Sequence, residues 1–98
     1  MNPTPKPPKH LTGAARDLFS MIVEEMVNVD LRPSDAISIE GLAVQLARLR
    51  SARKQARAGG DVSVAAKEIE ADSWQMALMF SKDLLLSDDA LKRLAWAQ

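Results

Sequence analysis

The chain contains no cysteine and no tyrosine. Without cysteine it can have neither a disulfide framework nor a thiolate metal site. Its single histidine, His10, stands in a proline-rich stretch, where an imidazole is most simply a surface residue. Ser–His and Cys–His catalysis therefore lack their supporting partners. Glycine is scarce, at 4 residues, and Gly59-Gly60 has neither the spacing of a phosphate-binding loop nor its Lys-Ser/Thr. No apolar run approaches the ~20 residues that a membrane span needs. The opening MNPTPKPPKH lacks the apolar core of a signal peptide, so an intracellular, non-membrane protein is expected. Net charge is also missing, with 13 Lys+Arg against 13 Asp+Glu. Attraction to a polyanion must then come from uneven placement of charge.

What is present is apolar, at 47% of 98 residues, as in a small globular domain. A domain of this size buries only about 60–65% of its unfolded surface, so self-association would add stability.

The pattern along the chain is helical. Residues 1–10 hold Pro3, Pro5, Pro7 and Pro8. They read as an extended or flexible arm that precedes a single helical domain over 11–98. A first helix is expected after Thr12 as N-cap, with Ala15, Leu18, Phe19, Ile22 and Met26 on one face. VNVDLRP breaks it. A second is expected over 35–58, opened by Ser34 and Asp35 and stopped by Gly59-Gly60. Its apolar stripe of Ile39, Leu42, Ala43, Leu46 and Leu49 turns basic in the last two turns.

A third helix should run from Asp61 or Ser63 to about Leu86. One face carries Ile69, Ser73, Met76, Phe80 and Leu84, and another carries Trp74, Leu78 and Leu85. A helix apolar on two faces needs more than one neighbour, which suggests a second subunit. Ser87, followed by Asp88 and Asp89, caps a short last helix over 88–96, with Leu86 and Leu91 at hydrophobic-staple spacing. No segment alternates with the period of a strand. The expected fold is all-α: an N-terminal helix, a long antiparallel hairpin and a short C-terminal helix. Trp74, Leu78, Leu85 and Trp96 are the expected oligomer-interface residues.

Chemistry-bearing clusters are few. Glu68 and Asp72 form an i, i+4 acidic pair that reads as a solvated face. The methionines read as core. No catalytic residue, metal site or cofactor is expected. The exception is RLRSARKQARAGG at 48–60, where Arg48, Arg50, Arg53, Lys54 and Arg57 occur with no acid. Arg50, Arg53, Lys54 and Arg57 share a helix face. The helix dipole favours cations in the last turn, but it explains less well five cations with repelling i, i+4 pairs. Phosphate neutralisation would remove that repulsion.

Three stretches together, PPKHLTGAARDLFSMIVEEM, LRPSDAISIEGLAVQLARLRSARKQ and KEIEADSWQMALMFSKDLLLSDDALKRL, resemble the phage terminase small subunit in its short all-helical branch. The resemblance covers most of residues 7–94. The connector between the long helices, AGGDVSV, is shorter than the family's. It implies a non-enzymatic protein in the cytoplasm of an infected bacterium. Such a subunit assembles into a ring, binds double-stranded viral DNA and delivers it to the large terminase subunit. Arg48, Arg50, Arg53, Lys54 and Arg57 are then the expected phosphate contacts, with Lys6 and Lys9 as contacts from the arm. The rival readings are a helical protein–protein adaptor and a small helix-turn-helix repressor.

Overall fold

The computed structural model describes residues 6–26, 31–32, 34–59 and 61–96, with 61–63 described by backbone alone. Four helices follow one another: α1 (Gly13–Glu25), α2 (Asp35–Ala58), α3 (Asp61–Asp83) and α4 (Asp88–Trp96). No strand occurs among the described residues, and the protein is all-α. No helix of the described residues is long and apolar enough to cross a membrane.

α2 and α3 pack along one another as the antiparallel hairpin, while α1 and α4 lie against α2 and against each other. Gly59 ends α2 with φ 79°, in the left-handed region that a Cβ disfavours. At the other end of the hairpin Gly41 lets α3 approach closely. A Cβ there would stand 2.5 Å from Cζ of Phe80. The core joins Leu18, Phe19 and Ile22 of α1, Ile39, Leu42, Leu46 and Leu49 of α2, and Leu91 and Leu94 of α4. These residues match the stripes expected for α1 and α2. The side of α3 that faces inward keeps Ser73 and Leu84 of the first expected face but is centred on smaller residues. Its most buried positions are Ala66, Ser73, Ala77, Ser81 and Leu84, while Ile69 and Met76 are exposed. Small residues at this seam let two long helices come together, so burial here follows size rather than hydropathy.

The helix ends refine the reading. Ser34 is already helical, with φ −65° and ψ −24°, and makes no side-chain cap bond. Asp35 takes the capping role. Its carboxylate accepts the Arg32 backbone N–H at 2.8 Å and the Arg32 guanidinium at 3.2 Å. Thr12 is extended but also makes no side-chain cap bond. Ser87 does cap α4, its Oγ accepting the Ala90 N–H at 3.1 Å, and Leu86 and Leu91 both join the core. Of the arm expected over 1–10, residues 1–5 lie outside the described residues. Pro8 O accepts the Arg16 guanidinium at 3.1 Å, and His10 Nε2 pairs with Glu40 Oε1.

α3 stops three residues before the expected Leu86. The Leu86 N–H donates to Ser81 O and the Leu85 N–H to Lys82 O, which is the Schellman pattern. The position that this motif reserves for glycine holds Leu85 at φ 58°. A left-handed leucine is strained by about 1–2 kcal/mol, and here the side chain is 89% exposed. In the unassociated chain Leu85→Gly is expected to raise stability by about 0.5–1 kcal/mol once the entropy of glycine is discounted. Urea unfolding checks this. A lower midpoint would mean that Leu85 packs against something outside the single chain.

α1 and α4 are also joined by a pair of charges, the Arg93 guanidinium donating to Glu25 at 2.9 Å. The hydrogen bond from Arg93, and secondarily its charge, hold the Glu25 carboxyl below its ordinary 4.5. Asp35 is held below its ordinary 3.8 first by the Arg32 backbone bond and then by the Arg32 side chain. A depressed native value means that the unfolded chain binds the proton more readily. This stabilisation is therefore present above the ordinary carboxylate range and is lost as pH falls through the native values. Urea midpoints should drop as pH falls from about 4.5, and Glu25→Gln should flatten that fall.

Candidate nucleic-acid interface

The second half of α2 builds the site. Arg50, Arg53, Lys54 and Arg57 emerge on one face, as their spacing predicts, and line an open cleft of about 590 Å³. Ala14 of α1 and Ala47 and Ser51 of α2 make its small-residue walls, and Trp96 of α4 closes one side. Among the described residues, no carboxylate lines the cleft. Arg48 does not line the cleft; it stands in a neighbouring shallow groove that shares Ala47 and Ser51 with it and extends to Gln55 and Ile69, and it donates to Gln45 Oε1 at 3.5 Å. The structure thus brings together four of the five clustered cations and sets the fifth apart. Lys6 and Lys9 are exposed in the N-terminal segment.

The four cations of the cleft fall into two kinds. Lys54 and Arg57 are exposed. Arg50 and Arg53 are half-buried and turn toward α4. Arg50 Nη2 donates to Leu94 O, and Arg53 Nη2 donates to Ala95 O at 3.0 Å. These carbonyls belong to the last turn of α4, where the helix has no amide of its own to offer them and carries the negative end of its dipole. Desolvation first, and the neighbouring Arg53 charge second, lower the proton affinity of Arg50, which stays charged at neutral pH.

Trp96 connects this site to the hairpin. Its ring lies 5.3 Å from the Arg53 guanidinium carbon and meets Trp74 edge-on at 5.1 Å and 73°. Periodicity alone gave no sign that α4 would bring its last carbonyls to α2. Of the expected interface residues, Trp74 and Leu78 are half-buried against the core. Leu85 and Trp96 present apolar surface, at 89% and 49% exposure. Glu68 and Asp72 are exposed. Among the described residues, no group of three or more His, Cys, Asp or Glu is placed to hold a metal ion.

Comparison of the chain with protein-family models, with curated proteins and with solved structures finds no match.

Proposed function

We propose that the protein is a non-enzymatic, self-associating adaptor for double-stranded DNA, working as a terminase small subunit. In this reading it binds viral DNA in the cytoplasm of the infected bacterium and presents it to the large terminase subunit. The observation that carries the reading is the cleft. Four cations converge on an open surface with no carboxylate among its lining residues, although the chain as a whole is neutral. Such a surface attracts phosphates by releasing their counterions, and phosphate contacts position a protein without reading sequence. The exposed Leu85 supports self-association, since a ring would repeat the cleft as a basic band.

The structure selects the variant that tests this. Arg50 and Arg53 bond to α4, so changing them would disturb the fold as well as any DNA contact. Lys54 and Arg57 are exposed, and among the described residues no salt bridge involves them. Labelled duplex DNA should bind the wild type and bind Lys54→Gln/Arg57→Gln far more weakly. Equal binding by both would overturn the assignment. Light scattering separates the rivals: many subunits fit the packaging adaptor, a dimer fits a repressor, and a protein that binds no DNA fits a protein–protein adaptor.

A further inference from the structure

We infer that Arg50 and Arg53 form a phosphodiester subsite that the C-terminal turn of α4 occupies while no DNA is bound. The inference rests on the DNA-binding reading and adds a competition inside the molecule.

Two guanidiniums lie side by side in the cleft, and their protein acceptors are the neutral backbone oxygens Leu94 O and Ala95 O. Their remaining donors are not used up. Arg50 Nε and Arg53 Nη1 are both buried and without a hydrogen-bond partner among the described residues. A guanidinium bonds an anionic oxygen about twice as strongly as a neutral one, and phosphate accepts two of its N–H groups at once. The carbonyls of a helix C-terminus imitate that acceptor, with roughly half a negative charge at the dipole end. They are therefore a weaker occupant of the same place. Lys54 and Arg57 line the same cleft, so a DNA backbone drawn in by them passes the Arg50–Arg53 pair.

When phosphate takes these guanidiniums, the last turn of α4 loses its caps and Trp96 loses the cation against its ring. The rest of α4 stays in place, because Leu91 and Leu94 are buried and Arg93 is paired with Glu25. DNA binding would thus loosen one turn, the one that carries the half-exposed Trp96, and leave the core intact.

The alternative role for Trp96 is as a direct platform for DNA, and the two roles give opposite signs. If the ring helps α4 hold Arg53, Trp96→Ala should bind duplex DNA about two- to fivefold more tightly, the factor that an exposed cation–π contact is worth. Equal or weaker binding by a folded Trp96→Ala protein would overturn the subsite. A second readout does not depend on that variant folding. In Trp74→Phe, Trp96 is the only tryptophan, and its emission should move to the red over the DNA concentrations that saturate binding. Emission that stays fixed while DNA binds would overturn the subsite and leave the DNA-binding reading standing. Failure of the wild type to bind duplex DNA at low salt would remove both.

Discussion

Replacing Phe19 with alanine should cost about 3–5 kcal/mol, the usual range for deleting a fully buried aromatic ring. Phe19 is 0% exposed and heads the largest fully buried side chains. It sits with Leu18 and Ile22 where α1 meets α2 and α4. The domain is too small to absorb such a loss easily. For 98 residues the whole folding free energy is about 5–15 kcal/mol, so Phe19→Ala would remove roughly a fifth of it at the least and most of it at the upper end. The variant should unfold at a much lower urea concentration, or be unfolded at room temperature. Phe80 provides the internal comparison. It is half-buried beside Gly41 on α2, and its replacement by alanine should cost clearly less. Equal losses at the two sites would contradict the placement of the core around α1, α2 and α4.

The second large effect is on binding. Each phosphate contact contributes a salt-dependent factor through counterion release, with log K falling by about 0.9 per contact for each decade of salt. Two contacts, from Lys54 and Arg57, therefore account for roughly 60-fold of affinity at 0.1 M salt. Lys54→Gln/Arg57→Gln should lose about that factor per subunit engaged while keeping its urea midpoint, since both side chains are exposed. Arg48→Gln, outside the cleft in the adjoining groove, should lose much less. A variant at Arg48 as weak as the pair at 54 and 57 would show that the cleft is not the main phosphate contact.

Much of the fold was legible because the helix boundaries carry local chemistry. Asp35–Ala58 and Asp88–Trp96 have the bounds that acidic starts, a Gly-Gly stop and an N-cap serine imply. The apolar stripes of α1 and α2 were legible because large side chains there are the buried ones. α3 was harder to read. Its seam adds Ala66 and Ser81 to the expected Ser73 and Ala77, and hydropathy gives such small residues little weight. The larger Ile69 and Met76, expected on the same face as Ser73 and Leu84, are exposed. The end of α3 was missed for a related reason, since Leu85 occupies a left-handed position that sequence rules assign to glycine.

For the site, spacing was enough to gather Arg50, Arg53, Lys54 and Arg57 on one face. It carried no information about Leu94 O and Ala95 O, because backbone acceptors have no sequence signature. The division of the cluster into two exposed cations and two that hold α4 is a tertiary fact. It changes which substitutions test function and which test stability.

The central claim is that the cleft binds DNA phosphates. Its most direct test is the affinity of the wild type for duplex DNA measured across salt concentrations. A plot of log K against log salt should be linear, with a slope of about −1.8 per engaged subunit if Lys54 and Arg57 alone meet phosphates, steepening toward about −3.6 if Arg50 and Arg53 join them. Lys54→Gln/Arg57→Gln should remove about 1.8 from that slope. A slope near zero, or one that the double variant leaves unchanged, would contradict the account.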